Sequence, residues 1–189
     1  MNDNISSLVG VGAAGKVYVA PKGSTLPTSA SAALDAAFEN FGYISSDGVT
    51  ISGSDSSSSI YAWGGDSVRV ISTEHTETVA FTPIEINETV LKQTYGEDNV
   101  TVATVGTTTT IAAVHKGGTL PEVVIVVDAI PATGMKARYV FPLAQLTERG
   151  DASLTGTDVQ GRQMTYTGNA DGSGVTCYEY VEIEEADSE

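Results

Sequence analysis

The sequence predicts a mainly β protein with one or two short helices, and three observations support this class. Segments in which apolar and polar residues alternate recur along the chain, as they do in half-buried strands. These segments are rich in Thr, Val and Ile, which favour pleated sheets. Clusters of Gly, Ser, Asp and Asn separate them and are typical of turns. The predicted elements therefore follow one another as strands joined by turns.

The length of 189 residues fits a single domain that can bury a core without covalent staples. We predict that this domain spans residues 16–183, between a flexible Gly-rich arm over 1–15 and an acidic tail over 184–189. The lone Cys177 excludes an intramolecular disulfide. No secretory signal pattern opens the chain and no apolar run reaches bilayer length, so we expect cytoplasmic synthesis and no membrane binding.

Charge is the strongest compositional signal. The chain carries 24 acidic residues against 9 Lys and Arg, which gives a formal net charge of −15. A surface that grips phosphates needs cations to neutralise them, so specific nucleic-acid binding is not expected. On composition alone, the charge is also what keeps an ordinary acidic protein dispersed in solution.

A nucleotide-site pattern occurs near the start and is rejected on its context. Gly10, Gly12 and Gly15 form a GxGxxG pattern, and Asp35 follows at the distance of a ribose-binding acid. A dinucleotide site needs a helix directly after the glycines. Residues 16–20 alternate as a strand instead, so nucleotide binding is not predicted.

A short helix is the next predicted element, after a Pro- and Ser-rich loop over 22–33. Ser and Thr side chains between 28 and 31 are suitable N-caps, and the helix would end near Asn40. Gly42 is placed where a helix commonly ends in the left-handed conformation.

The residues after Gly42 predict a turn, a strand and a loop. Asp47 and Gly48 suit a tight turn, and the strand after it alternates through Val49 and Ile51. The Ser-rich segment Gly53–Ser59 has no apolar surface to bury and is predicted to be an exposed loop.

The middle of the chain predicts two further strands and a second helix. A turn at 64–65 precedes the strands, over 66–73 and 74–83. The helix spans about Ile84–Tyr95, with Asn87 as a possible N-cap and Gly96 as its end.

The last part of the chain predicts six more strands. The first two lie near 100–103 and 108–114, and VVIVV at 123–127 is predicted to be covered on both faces. Its partner is the segment 135–143, with Lys136 and Arg138 facing outward. Strands near 160–167 and 175–183 are joined by GNADGSG, which favours a hairpin turn over a calcium loop because Tyr180 occupies the position of the bidentate Glu.

No catalytic or metal-binding pattern is recognisable. His75 and His115 lack metal-ligand spacing with each other or with Cys177. No G-x-S-x-G elbow accompanies the many serines, and Cys177 has no basic neighbour in its predicted strand. We therefore predict no catalytic residue, no cofactor, no metal and no enzymatic activity.

Two phrases carry a resemblance to a known family. The phrase FGYISSDGV at 41–49 and the helical phrase INETVLKQTYG at 86–96 resemble corresponding parts of the major tail protein, or tail tube protein, of siphophages. The similarity extends loosely over about residues 8–182. It implies a β-sandwich flanked by a helix, six-membered rings stacked into a tube, and an inner sheet that contributes to a multimeric β-barrel. The protein would then be a virion component, assembled in the host cytoplasm.

The resemblance also implies functional surfaces and partners. Strands near 49–51, 61–71 and 75–81 would form the inner barrel, and a loop near 53–59 or 63–66 would stack the rings. The tube would hold the tape-measure protein, meet the tail terminator and tail tip proteins, and pass genomic DNA without binding it specifically. Candidate lumen acids are Asp47, Asp55, Asp66, Glu74 and Glu77. Candidate stacking or interface residues are Ser54, Ser57, Tyr61 and Trp63.

A second class of function fits the same strand pattern. A virion decoration protein, an adhesin or a carbohydrate-binding module is also built from alternating strands and Ser- or Thr-rich loops. Binding modules expose aromatic side chains, and Tyr61 with Trp63 is the one nearby cluster in this chain. A module of this class stays monomeric, whereas a tube protein polymerises.

Overall fold

The structure, a computed structural model, describes residues 14–132, 134–152 and 160–183. The described part of the chain is mainly β, as predicted, with a single α-helix, α1, over Glu88–Tyr95 and one 3-10 turn over Glu97–Asn99. The strands are β1 (Ala14–Pro21), β2 (Glu39–Asn40), β3 (Ile44–Tyr61), β4 (Ser67–Pro83), β5 (Val100–Val105), β6 (Thr108–Ala113), β7 (Val123–Ala132), β8 (Met135–Arg149), β9 (Met164–Gly168) and β10 (Tyr178–Ile183). Residues 1–13 of the predicted arm and the whole predicted tail lie outside the described residues.

Eight strands form one antiparallel sheet in the order β2-β1-β7-β8-β9-β4-β3, with β10 also paired to β8. β9 and β10 occupy the same edge of β8, because β7 pairs with the opposite edge. The turn predicted between β9 and β10 forms at Asp171, whose carbonyl accepts from the Gly174 N–H. It does not make a hairpin, however, because both strands pair with β8 and not with each other.

The main core lies inside a curl of this sheet. Val17 of β1 and Val79 of β4 are fully buried in the same cluster, although three strands separate β1 from β4 in the sheet. Phe41 joins the two ends: its N–H donates to the Val17 carbonyl at 3.1 Å, and its ring centroid lies 4.9 Å from that of Phe81. The two faces of the predicted sandwich are therefore parts of a single curled sheet, which α1 closes with the buried Val90.

A second, smaller core covers the outer face of β7 and β8. Val124, Val126 and Val140 are buried there, against Leu34 and Phe38. All five residues of VVIVV are consequently buried, which confirms the prediction that this strand is covered on both faces.

The segment that lies over this outer face of β7 and β8 contradicts two predictions. Residues 22–38 are irregular and contain no helix, so the helix predicted to end near Asn40 is wrong. Arg138, predicted to face outward, is buried because this segment lies over it. Its Nη1 donates to the carbonyls of Ser29 and Ala32 at 3.0 and 2.6 Å, and its Nε donates to Asp128 at 2.5 Å.

The second predicted helix is confirmed as α1. The Asn87 side chain accepts from the Val90 N–H at 2.9 Å, which satisfies one of the free amides of the first turn. Gly96 follows the last helical residue with φ of +93°, and its N–H donates to the Lys92 carbonyl. The helix packs against the small β5–β6 hairpin, whose strands match the two predicted near 100–103 and 108–114.

The segment from Ile44 to Pro83 is more regular than predicted. The turn predicted at Asp47 and Gly48 is an irregularity within β3, where pairing with β4 shifts between Ile44 and Val49. The predicted loop Gly53–Ser59 is part of the same strand, and the two strands predicted at 66–73 and 74–83 form the continuous β4.

Candidate assembly surface

The β3–β4 hairpin extends well past the body of the protein. β9 pairs with β4 only from Glu77 to Phe81, so beyond Glu77 the two strands pair only with each other among the described residues. The eight residues of β3 from Ser54 to Tyr61 span about 26 Å at the usual rise of a strand. We call this part, residues 54–76, the ribbon. A two-stranded hairpin is at best marginally stable alone in water, so the ribbon needs a further contact to stabilise it.

The tip of the ribbon exposes several large apolar side chains, and its charged residues are Asp66 and Arg69. A turn closes it, in which the Ala62 N–H donates to the Asp66 carbonyl at 2.8 Å and Gly65 has φ of +91°. Residues 56–65 contain no ionisable side chain other than Tyr61. The Trp63 side chain is fully exposed, at 107% of its reference area. Other large apolar side chains exposed at this end are Ile60, Tyr61, Val68 and Val70.

A histidine bridge stands where the ribbon leaves the body. His75 Nδ1 lies 2.6 Å from Asp55 Oδ1, and its Nε2 lies 3.3 Å from the hydroxyl of Thr176, between β9 and β10. The Thr176 hydroxyl also donates a short hydrogen bond to Glu77. The hydrogen bond to Asp55 is the main cause that raises the pKa of His75 above 6.5, and Glu77 adds to the shift.

The five candidate lumen acids do not share one surface. Alternation along the strands places Asp55 and Glu77 on the side that continues the core face, together with His75. Glu74 lies on the opposite side. Asp66 is at the tip, and Asp47 is exposed at the irregularity near the base of β3.

The four candidate interface residues are all exposed on the ribbon. Tyr61 and Trp63 belong to the apolar tip. Ser54 and Ser57 lie along β3 and, being an odd number of residues apart, face opposite sides of the ribbon.

Hydroxyl side chains cover the face of the β3-β4-β9 layer that is turned away from the core. The register brings Ser52, Thr78 and Thr167 side by side across three strands. Thr147 of β8 joins them, with its Oγ1 3.0 Å from that of Thr167. We call this set the hydroxyl face, and its members are Thr50, Ser52, Ser54, Ser56, Thr76, Thr78, Thr147, Thr165 and Thr167.

Sequence reasoning missed the hydroxyl face as a unit. Each strand showed its own alternation, with Val79 and Phe81 between the threonines of β4. The shared face became visible only with the pairing of β9 to β4, which joins residues more than 80 positions apart. The available sequence signal was the alternation in the MTYTG segment, where Met164 and Tyr166 face the core and the two threonines face the other side.

The groups considered for chemistry do not form a reactive site. Burial raises the pKa of Cys177 to about 12, so its thiol stays protonated near neutrality. The His115 ring stacks on the Tyr95 ring, with 3.9 Å between the ring centroids, whereas His75 contacts Asp55 on the ribbon. Within the described ranges, no group of three His, Cys, Asp or Glu side chains is arranged to hold a metal ion.

The nucleotide-site pattern has a strand where it needs a helix. Gly15 lies in β1, paired with Ala129 of β7. Gly10 and Gly12 fall outside the described residues.

A comparison with protein families matches residues 1–186 to the family described as phage tail tube protein. The chain belongs to the phage tail tube protein family. This tail tube protein is therefore a structural component of the phage tail in the virion, and the prediction that it is not an enzyme is confirmed. A comparison with curated proteins gave no match. Among the residues that the structure describes, no helix has the length and hydropathy to cross a bilayer.

Proposed function

We propose that this tail tube protein closes into rings of six subunits, and that the rings stack into the tube through which genomic DNA leaves a siphophage particle. The number of subunits, the siphophage origin and assembly in the host cytoplasm are what the sequence resemblance implies. The structural observation that supports a ring is the ribbon, because it combines an open strand edge with large exposed apolar side chains at its tip.

Strand edges supply the lateral contact in this proposal. β3 is the last strand of the sheet, so its outer edge carries backbone N–H and C=O groups with no strand partner among the described residues. Such edges promote pairing with another chain, and closing a barrel removes them. The edge of β3 in one subunit then pairs with the sheet of its neighbour, which also stabilises the ribbon.

The tip supplies the contact between rings. Trp and Tyr are enriched among the few residues that contribute most of the binding energy in protein interfaces. Trp63 and Tyr61 are exposed at the end of the ribbon, and Tyr61 lies about 23 Å from Ser54 along the strand. Stacking buries them against the next ring, and Ser54 and Ser57 lie along β3, whose backbone edge meets the neighbouring subunit.

The five candidate acids divide among three places in this proposal: the bore, the base of the ribbon and the lateral contact. Glu74 is the candidate lumen acid that lies on the hydroxyl face, and Asp66 reaches the bore only where the tips of adjacent subunits meet. Asp55 and Glu77 hold the base of the ribbon through His75 and Thr176. Asp47 lies near the free edge of β3, close to the lateral contact.

The proposed tube also implies the remaining partners. The tape-measure protein occupies the bore during assembly, and the tail terminator and tail tip proteins bind the two ends. Genomic DNA passes without specific binding, which agrees with the net charge of −15. The alternative class of decoration protein, adhesin or carbohydrate-binding module receives no support from the family match.

The test is negative-stain electron microscopy of the purified protein at high concentration, with its mass measured by light scattering. We expect hollow tubes or stacked rings with six-fold end views. A strict monomer under every condition, including long incubation, would contradict the proposal, and rings of another number would correct its symmetry alone.

A further inference from the structure

We propose that the hydroxyl face lines the bore, so that DNA meets a wall of Ser and Thr hydroxyls that is close to electrically neutral. The inference rests on the proposed tube and concerns which surface of the subunit faces inward. It differs from the expectation of a generally acidic lumen, because only one of the five candidate acids, Glu74, lies on the hydroxyl face itself.

The position of the core decides which face of these strands can line the bore. Phe81 and Val79 of β4 and Tyr166 of β9 are buried in the main core. The alternate residues of the same strands must therefore point to the other side. If this layer forms the wall of a barrel, the filled core face is unavailable to the bore, and the hydroxyl face is the surface that remains.

Little charge accompanies the hydroxyls. Glu74 pairs with Ser56 at the ribbon end of the face, and Glu148 pairs with Thr165 at the body end. Farther out on the ribbon, Arg69 pairs with Ile60 on the same side and is the one cation there among the described residues of β3 and β4. Between the two acids, the rows that hold Ser52, Thr78 and Thr167 carry no charged side chain among the described residues. The acids that produce the net charge are thus mostly elsewhere on the subunit.

A hydroxyl wall suits the passage of a duplex. DNA carries one negative charge per about 1.7 Å, and tight binding requires cations that displace its counterions. The hydroxyl face offers no such cations in its central rows. Its hydroxyls also bond to their own sheet, since Thr147 donates to the Thr165 carbonyl at 3.2 Å and contacts the Thr167 hydroxyl. The wall therefore neither holds the phosphates by charge nor repels them strongly.

Site-specific labelling tests the assignment. In a Cys177→Ala background, Thr78→Cys places a thiol on the hydroxyl face, and Thr101→Cys places a matched thiol on the exposed β5 strand of the other hairpin. Each variant is assembled into tubes, and the tubes are separated from free subunits. They are then treated with a bulky polyethylene-glycol maleimide, with a small maleimide used in parallel.

We expect the free subunits of both variants to react with both reagents, which also shows that they are folded and accessible. In tubes, Thr78→Cys should lose its reaction with the bulky reagent, because that reagent enters only at the ends, while Thr101→Cys keeps it. Equal bulky labelling of both thiols in tubes would overturn the inference and leave the tube intact. Failure of the parent protein to form tubes would remove the proposed function, and the inference with it.

Discussion

His75 and Asp55 lie directly opposite each other on β4 and β3, with His75 Nδ1 2.6 Å from Asp55 Oδ1. The other ring nitrogen of His75 faces Thr176 and Glu77, at 3.3 and 3.9 Å. One imidazole therefore links both strands of the ribbon to the segment between β9 and β10. It does so at the point where the ribbon loses its support from β9.

The bridge predicts that the ribbon base is held more firmly at lower pH. The pKa of His75 is raised above 6.5, mainly by its hydrogen bond to Asp55. The stabilisation from the protonated ring is then fully present below pH 6.5 and is lost as the pH rises through the raised folded pKa. An NMR titration of the ring should show this, and Asp55→Asn should bring the pKa of His75 back towards 6.5.

Glu74 provides the matched control for this titration. It is adjacent to His75 in sequence but lies on the opposite side of β4, so Glu74→Gln should leave the pKa of His75 nearly unchanged. An equal decrease in both variants would show that the general negative field, and not the Asp55 contact, sets the shift.

Trp63 should report ring stacking directly, since it is the single tryptophan of the chain. Its side chain is fully exposed in the subunit, so burial in the next ring should shift its fluorescence emission to shorter wavelength as tubes form. Trp63→Ala should weaken stacking by about 2 kcal/mol or more per contact if the indole is a central anchor. Its effect on the free energy of unfolding should stay within about 0.5 kcal/mol, as is usual for surface substitutions.

Val105 at the tip of the β5–β6 hairpin is the control for Trp63. It is 80% exposed and is not proposed to contact another ring. Val105→Ala should therefore assemble like the parent protein. Tubes that form with an unchanged Trp63 emission would place the tip outside the interface.

The pair of Arg138 and Asp128 should dominate the electrostatic part of subunit stability. Arg138 is buried and makes two hydrogen bonds to Asp128, at 2.5 and 2.9 Å. Asp128→Asn leaves the guanidinium charge without its counterion and should cost about 3 kcal/mol of unfolding free energy. Lys22→Ala, which breaks the exposed pair with Glu122, should cost no more than about 1 kcal/mol. Urea denaturation of both variants measures the difference, and similar costs would contradict the assigned importance of burial.

Local signals in the sequence were sufficient for α1 and β7. Asn87 and Gly96 act through contacts within a few residues, and the apolar run 123–127 is long enough to imply cover on both faces. The false helix before Asn40 shows the limit of local reasoning. Its cap signals and alanines suited a helix, but Leu34 and Phe38 reach the outer face of the sheet from an irregular backbone instead.

The burial of Arg138 and the hydroxyl face depend on contacts that the sequence does not display. Arg138 follows the strand alternation correctly, but the side it faces is covered by a segment more than 100 residues earlier in the chain. Gly53–Ser59 is a strand because β4 fixes its register, although its own residues favour a loop. The candidate acids were therefore found one by one, but which of them share a face could not be predicted.

A lysine on the hydroxyl face should turn a neutral wall into one that retains DNA. Thr78 lies at the centre of the face, between Ser52 and Thr167, so Thr78→Lys adds one cation per subunit to each ring of the bore. Cations that neutralise phosphates release counterions, and log K falls by about 0.9 per log unit of salt for each phosphate contacted. Tubes of Thr78→Lys should therefore retain duplex DNA in a sedimentation assay at low salt and release it as salt is raised. Tubes of the parent and of Thr101→Lys, on the exposed β5 strand, should retain little, whereas equal retention by both lysine variants would mean that DNA binds the outer surface and that Thr78 does not face the bore.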